Sequence, residues 1–216
     1  PESYVKIREQ ARLQIEGRNA GKTIYELLPI QENLGLCALP PPSDGDVFLD
    51  LEGDPFVAGG GREFLFGYVY SDESGNWKYQ SDWSLTAADE KSAFERFVDF
   101  VSVRLLQFPE LHIYHYAPYE PAALKRLMGR YATREKELDD ILRSKRFVDL
   151  YAVTKHAIRA SVESYSIKKL EPLYEFTREA ALPEVGPTMI KVQGHLELND
   201  FDSISEADRQ LITVYN

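Results

Sequence analysis

The sequence predicts an α/β domain with a mixed five-stranded sheet flanked by helices. Three observations predict this fold. Residues 47–83 hold three apolar, alternating segments joined by short Gly-, Asp- and Ser-rich loops, as in an antiparallel meander. Residues 93–105 repeat apolar side chains every three or four positions, as an amphipathic helix does. The apolar segment 111–116 follows that helix, so we expect a crossover that makes it parallel to the first strand.

Composition limits the class of protein. The chain has 216 residues, of which 44% are hydrophobic and 12% aromatic, enough for a packed core. The net charge of −10 disfavours a general polyanion binder. No apolar run approaches the roughly 18 residues of a membrane span, so we expect no membrane partner. The single cysteine, Cys37, excludes an internal disulfide and favours a reducing, cytoplasmic location.

Residues 1–43 are predicted to form a helical N-terminal arm and a Pro-rich linker, and residues 44–216 the main domain. Apolar side chains recur with loosely helical spacing in 5–15, and residues 25–28 are expected to continue that helix. The chain has neither an initiator Met nor a signal peptide, which suggests a segment of a longer protein. Gly17–Thr23 resembles a phosphate-binding loop but is one residue short, and no strand precedes it, so we exclude that function.

The first predicted strand, 47–52, carries two acids on one face. Side chains alternate along a strand, so Asp50 and Glu52 point away from Val47, Leu49 and Leu51. Two carboxylates in this arrangement can share one divalent cation or divide two between them. The alternative is a half-exposed strand with a solvated acidic face.

The remaining elements follow from local patterns. Thr86 with Asp89, and Ser205 with Asp208, are typical of helix starts. Residues 181–200 contain two Pro and two Gly and are expected to be irregular. The other predicted elements are strands at 63–70 and 77–83, a short strand or strand-to-helix junction at 147–150, helices ending near 128, 143 and 158, and a helix that begins within 165–170.

Positive charge is concentrated in residues 121–170, which hold twelve Lys and Arg against six Asp and Glu. A basic patch on an acidic body is typical of a surface that contacts a nucleic-acid backbone. Solvated helix faces are also often rich in Lys and Arg, so both interpretations remain open at this point.

The ordered motifs resemble a known family. Asp50-Leu51-Glu52 resembles the D-x-E of RNase H-like DEDD 3′–5′ exonucleases, His115–Glu120 their second motif, and Tyr215 the Tyr of the tyrosine subclass. With Gly53-Asp54-Pro55, Tyr165–Lys168 and Asn216, the set resembles the exonuclease-like domain of predicted RecB-family nuclease and helicase proteins. The resemblance covers residues 44–216 and implies an RNase H-like fold.

The resemblance also implies a chemistry. Asp50, Glu52 and Glu120 would bind two Mg²⁺ or Mn²⁺ ions, with Asp50 bridging them, and Tyr215 would orient or deprotonate the attacking water. The substrate-binding residues would be His115, Tyr116, Tyr119 and Lys168. The expected activity is 3′–5′ exonuclease cleavage of single-stranded DNA, or RNA, within a larger protein that carries RecB-like nuclease and helicase domains. The alternative is an inactive module of the same fold that binds nucleic acid or another domain.

Two departures from the family pattern affect this expectation. Glu120 stands where the family has Asp, and a further Asp is expected four residues after Tyr215, beyond Asn216. The 216-residue chain is therefore expected to lack one ligand. Each residue also has a structural alternative: a first-turn acid for Glu120, a core aromatic for Tyr215, a hydrogen-bonded strand residue for His115, and a solvated helix residue for Lys168. Asp54 and Asp149 are expected to cap the turns that follow them.

Overall fold

The computed structural model describes residues 2–177 and 182–216, which form two compact units. The larger unit comprises the described residues of 42–148 and 178–216, and the smaller unit those of 1–41 and 149–177. The sequence predicted one domain boundary, between residues 43 and 44, with residues 149–177 in the main domain. That residues 1–43 and 44–216 form separate domains remains a prediction.

The elements are named here in chain order. The helices are α1 (Glu2–Ala20), α2 (Ala87–Gln107), α3 (Tyr119–Tyr131), α4 (Glu135–Arg143), α5 (Leu150–Ala157), α6 (Ile167–Leu170), α7 (Leu182–Glu197) and α8 (Glu206–Tyr215). The strands are β1 (Tyr25–Leu27), β2 (Val47–Asp54), β3 (Arg62–Ser71), β4 (Trp77–Trp83), β5 (Ile113–His115), β6 (Phe147–Asp149) and β7 (Ile158–Ala160). No helix in the described ranges is both long and apolar enough to cross a membrane.

The larger unit contains the predicted mixed sheet, in the order β4-β3-β2-β5-β6. Strands β2, β3 and β4 form the antiparallel meander, and β5 pairs with β2 in parallel. The parallel pairing follows from the crossover through α2. The register places Asp50 opposite Gly67, and Gly67 opposite Ser81. The predicted fold class is confirmed.

Helices α2, α3 and α4 cover one face of this sheet. Val47, Leu49 and Leu51 are buried there against apolar residues of the three helices, with Phe66 and Tyr68 from β3. The capping box predicted at Thr86 and Asp89 is present and begins α2. The apolar side of β2 is therefore fixed by the main core, and its acidic side lies on the opposite face.

The opposite face of the sheet forms a second core with helices α7 and α8. Leu65 of β3 packs there with Val192 and Leu196 of α7 and Ile212 of α8. The expectation of irregular structure at 181–200 is wrong for residues 182–197, which are helical; residue 181 lies outside the described residues. Pro187 sits inside α7 at a cost of about 3 kcal/mol in helix propensity, which the burial of apolar side chains in this core offsets.

The smaller unit contains α1 and a two-stranded antiparallel sheet. Strand β1 pairs with β7, with Tyr25 opposite Ala160 and Leu27 opposite Ile158. The expectation that residues 25–28 continue the helix is therefore wrong. Gly21 ends α1 in a left-handed conformation at φ 63°, and the chain then turns back to pair with a segment more than 130 residues away.

Candidate functional site: a carboxylate face on the sheet

Asp50 and Glu52 lie on the same face of β2, as the alternation predicts. Asp50 is exposed and Glu52 is half-buried, whereas the intervening Leu51 is buried in the main core. Their Cα atoms are about 7 Å apart, because two residues of a strand span that distance. The two side chains therefore present carboxylate oxygens to one region of solvent.

The C-terminal end of α8 lies on this face beside the acids. Oδ1 of Asn216 accepts a hydrogen bond of 2.8 Å from the hydroxyl of Tyr79 on β4. A Cβ atom at Gly67, the cross-strand partner of Asp50, would collide with Oδ1 of Asn216 and lie 2.8 Å from the Tyr79 hydroxyl. Tyr215 precedes Asn216 and packs against the second core. The structure thus brings Tyr215 to the sheet face that carries Asp50 and Glu52.

Tyr79 also belongs to this face. Its burial raises the pKa of its hydroxyl, and the carboxylates of Asp50 and Glu52 raise that pKa further. The hydroxyl therefore stays protonated near neutral pH, as its hydrogen bond to Oδ1 of Asn216 requires. Tyr79 was not among the residues selected from the sequence, because the meander predicts that β3 pairs with β4 but not the register that brings Tyr79 here. Gly67 was the available signal, since glycine inside a strand often marks a close approach.

Glu120 lies in the first turn of α3 and is 4% exposed. Its Oε2 atom has no hydrogen-bond partner among the described residues and lies 3.5 Å from Nδ1 of His115. His115 is 5% exposed, and its Nδ1 is 2.6 Å from the carbonyl oxygen of Ala117. These contacts fit the hydrogen-bonded alternative for His115, and its burial leaves little surface for a substrate.

Tyr119 contributes to a polar cluster around the buried Glu63 at the start of α3. Its hydroxyl donates a hydrogen bond of 2.9 Å to Oε2 of Glu63, which also forms an ion pair with Arg126. Glu63 is 1% exposed, and burial is the main reason that its pKa is raised. Gly53, which follows Glu52, has no room for a Cβ atom because Glu63 and the Tyr119 hydroxyl occupy that position. The cluster therefore supports the end of β2 directly after the second acid.

A second buried carboxylate, Glu90 of α2, holds the loop between β2 and β3. Glu90 is fully buried, and it accepts a hydrogen bond of 2.5 Å from the amide of Glu63 and one of 2.9 Å from Arg130. Arg130 also donates to the carbonyl oxygens of Gly60 and Gly61. Arg130 therefore fixes the glycine-rich loop that follows the acidic strand.

Four other residues selected from the sequence have definite positions. Asp54 Oδ1 accepts a hydrogen bond of 2.9 Å from the amide of Phe56, and Asp149 accepts from the amides of Tyr151 and Ala152, so both cap the turns that follow them. Lys168 is exposed on α6 in the smaller unit. Tyr116 is half-buried after β5. The substrate-binding roles of His115, Tyr116, Tyr119 and Lys168 stay predictions.

Many cations of the basic segment 121–170 are paired within their own unit. Arg130 pairs with Glu90, Arg134 with Asp99, and Arg159 with Glu26. Further ion pairs join Arg126 to Glu63, Lys136 to Asp140 and Arg143 to Asp139. Four of these pairs join distant parts of the chain, whereas those of Lys136 and Arg143 lie within α4, so the structural interpretation is favoured for part of the segment only.

The carboxylate face suits a hard divalent cation only in part. Within residues 2–177 and 182–216, no group of three or more Asp, Glu, His or Cys side chains lies close enough to hold one ion. Mg²⁺, however, is commonly held by one or two carboxylates together with water and substrate phosphates. Asp50 and Glu52 match that donor set, and the unpartnered Oε2 of Glu120 is a further buried carboxylate oxygen.

The fold agrees with a comparison with protein families. The model of the RNase H superfamily matches residues 47–185, which include β2 to β6 and every sequence-predicted site residue except Tyr215. Neither a search of curated proteins nor a search of solved structures found a match. Because the matched residues make up more than half of the chain, this protein belongs to the RNase H superfamily.

Proposed function

We propose that this protein is a metal-dependent 3′–5′ exonuclease that hydrolyses phosphodiester bonds at the ends of single-stranded DNA or RNA. Members of the superfamily are generally hydrolytic nucleases that use divalent metals, which supports this reaction class. The observation that carries the proposal is the position of Asp50 and Glu52 on one sheet face beside the C-terminal end of α8.

Asp50 and Glu52 would hold Mg²⁺ or Mn²⁺, with Glu120 as the proposed third carboxylate for a two-ion site. A bound ion would supply an activated water and charge stabilisation at the phosphoryl group. Tyr215 would orient the attacking water, and Tyr79 would hold the end of α8 on the same face through its hydrogen bond to Asn216. Lys168, Tyr116 and Tyr119 would contact the substrate strand, Lys168 through phosphate and the two Tyr through base stacking.

The same motifs support a place within a larger protein that also carries RecB-like nuclease and helicase domains. A helicase partner would deliver single-stranded ends to an exonuclease domain. This part of the proposal depends on the resemblance of Asp50–Pro55, His115–Glu120, Tyr165–Lys168 and Tyr215 to the family described above.

The test measures metal binding and cleavage separately. Single-stranded DNA and RNA labelled at either end are incubated with Mg²⁺ or Mn²⁺, and Mn²⁺ binding is followed by electron paramagnetic resonance. Asp50→Asn is compared with Glu73→Gln, which neutralises an exposed carboxylate in the β3–β4 turn. We expect metal-dependent shortening from the 3′ end that Asp50→Asn abolishes and Glu73→Gln preserves. Equal cleavage by Asp50→Asn would exclude the proposed site.

An inactive binding module is the second candidate. The observation that favours it is the absence of a group of three potential metal ligands within the described residues. It predicts that the wild-type chain binds single-stranded nucleic acid in the presence of EDTA, with no cleavage when Mn²⁺ is added. Cleavage that requires Asp50 would reject this candidate.

A further inference from the structure

A cleft of about 460 Å³ lies at the edge of the sheet, on the face opposite Asp50 and Glu52. Tyr68 and Gln80 line it from neighbouring strands, and Phe100, Val103, Arg104 and Gln107 line it from one side of α2. The volume falls within the range of small-molecule sites in proteins. Because Tyr68 is part of the main core, the cleft lies on the α2 side of the sheet and is separate from the carboxylate face.

Two polar side chains that line this cleft have hydrogen-bond donors without an acceptor among the described residues. Tyr68 is 2% exposed, and no described residue accepts a hydrogen bond from its hydroxyl. Arg104 is 8% exposed, and its Nε and Nη2 atoms donate to backbone carbonyl oxygens at 2.7–2.9 Å. No described residue accepts from its Nη1 atom. Neither atom is among the enclosed polar atoms that lack a partner in the described residues, so a ligand in the cleft that supplies acceptors can reach both donors.

The character of the two donors is fixed by their surroundings. Burial raises the pKa of the Tyr68 hydroxyl, and the charge of Asp82 adds to that effect, so the hydroxyl remains a donor at neutral pH. The guanidinium of Arg104 is held over the rings of Tyr70, Phe100 and Phe108 at 4.9–5.9 Å. A ligand that accepts hydrogen bonds from both the guanidinium and the hydroxyl needs acceptor atoms at two separate positions.

The remaining lining favours a flat aromatic ring. Phe100 lies 5.1 Å from the ring of Tyr68 and offers an apolar wall, and Val103 is 60% exposed at the same side. The amides of Gln80 and Gln107 can both donate and accept, as the edge of a nucleobase does. Arg96, which pairs with Asp82 at 2.9 Å, is half-exposed and adds a guanidinium that a phosphate can contact.

We propose that this cleft binds a nucleotide, with the base against Phe100 and its acceptors facing Tyr68 and Arg104. The site is distinct from the carboxylate face and does not depend on catalysis there. A nucleotide can come from two sources: a free mononucleotide, or one nucleotide of a nucleic-acid strand whose end lies elsewhere on the protein.

The test measures binding to the 216-residue chain in EDTA, which prevents metal-dependent cleavage. Calorimetry with each nucleoside 5′-monophosphate and with single-stranded oligonucleotides is performed on wild type, Val103→Glu, Leu106→Glu and Tyr68→Phe. Leu106 is the matched control, because it is 83% exposed on the same helix and does not line the cleft. Both glutamate substitutions replace exposed side chains, so neither removes a buried contact.

We expect saturable binding that Val103→Glu weakens at least tenfold and Leu106→Glu leaves unchanged. Tyr68→Phe should weaken it about fivefold, the effect of one hydrogen bond. Binding of monophosphates would identify the free nucleotide as the source, and binding of oligonucleotides alone with the same variant pattern would identify the strand. No binding of either ligand, or equal binding by Val103→Glu and wild type, would overturn the proposal. Loss of nuclease activity in the separate cleavage test would not affect it.

Discussion

Gly67 determines how closely α8 can approach the acidic strand. It lies in the middle of β3, pairs with Asp50, and leaves room for Oδ1 of Asn216. Glycine normally weakens a strand interior, so its presence here has to be explained by the close packing above it. The hydrogen bond from Tyr79 to Asn216 depends on the same space.

A methyl group at position 67 should therefore displace the end of α8. We expect Gly67→Ala to lower the free energy of unfolding by about 1–3 kcal/mol, as overpacking typically does, and to reduce metal binding at Asp50. The matched control is Gly129→Ala in α3, where an added Cβ would meet no heavy atom within 4 Å. It should stabilise the protein by about 0.5–1 kcal/mol. Urea unfolding of both variants measures the difference, and equal effects would contradict the packing argument.

At this scale the sequence predicted some residues of the site and missed others. Asp50 and Glu52 were predictable because strand alternation is local and the apolar partners Leu49 and Leu51 are adjacent. Tyr79 was not predictable, because its position depends on the β3–β4 register. The buried network of Glu63 and Glu90 was also missed, since a charged residue in a strand or helix ordinarily indicates an exposed position.

Helix α8 is the element on which the candidate site depends. Ser205 begins it with a capping box, and Trp83 of β4 donates a hydrogen bond of 3.0 Å to Thr213 near its other end. Lys191 of α7 pairs with Asp208 at 2.7 Å. These contacts hold Tyr215 and Asn216 over the sheet, so weakening the start of α8 should loosen its C-terminal end.

Ser205→Ala should reduce the free energy of unfolding by about 1 kcal/mol, the usual effect of losing an N-cap side chain. The matched control is Ser92→Ala in α2, where the hydroxyl bonds the carbonyl of Ala88 four residues earlier. Alanine is the better helix former at such an interior position, so we expect a neutral or slightly stabilising effect there. Hydrogen exchange should show faster exchange across α8 for Ser205→Ala alone. Unchanged exchange in α8 would show that the cap does not control this helix.

Asp208 makes the stability of the same helix depend on pH. Its hydrogen bonds with Lys191 and Ser205 hold its pKa below the ordinary value of about 3.9. Because the folded-state pKa is the lower one, the stabilisation is complete above the unfolded pKa and is lost as pH falls through the folded pKa. We expect Asp208→Asn to be less stable than wild type at pH 7, with a difference that shrinks below about pH 4.

Lys191→Met tests the cause of this pH dependence. Removal of Lys191 should reproduce part of the effect in the wild-type background and add little in Asp208→Asn, as expected for a coupled pair. Urea unfolding from pH 7 down to the acid limit of folding provides the comparison. If the two substitutions were additive at pH 7, the ion pair would not be the source of the lowered pKa.

Prediction of the elements succeeded where the signal was local. The meander, α2 and the start of α8 follow from alternation, helical spacing and capping residues within a few positions of each other. Strands β1 and β7 are three residues each and pair across more than 130 positions, so neither carries a recognisable pattern of its own. Helix α7 was missed because Pro183, Gly186 and Pro187 indicate a loop locally, whereas tertiary packing of Val192 and Leu196 determines the outcome.

Ion pairs within each unit engage part of the positive charge of the chain. The chain carries a net charge of −10, and cations such as Arg134 and Arg159 are engaged with carboxylates of their own unit. The excess of Lys and Arg in residues 121–170 therefore does not by itself imply a large positive surface for a nucleic-acid backbone. Affinity for single strands is expected to come more from stacking and hydrogen bonding than from counterion release.

Within the larger unit, the ion network of Glu90 joins the elements that carry the candidate site. Glu90 belongs to α2, Arg130 and Tyr131 to α3, and the bonded amide of Glu63 to β3. Gly60 and Gly61 attach the loop after β2 to the same network through Arg130. One buried carboxylate thus connects two helices, a strand and a loop, and a change in it should affect the unit as a whole.

Arg130→Met keeps much of the side-chain volume but leaves the fully buried Glu90 without its closest cation. Breaking a buried pair on one side costs about 3–5 kcal/mol, so we expect a decrease of that size in the free energy of unfolding. The matched control is Arg143→Met, which breaks an exposed pair with Asp139 and should change stability by about 0.5 kcal/mol or less. The double variant Glu90→Gln with Arg130→Met should recover part of the loss, because the unpaired buried charge is removed. If Arg130→Met were as stable as Arg143→Met, the network would not contribute to the folding of the unit, and its role would be limited to positioning the loop after β2.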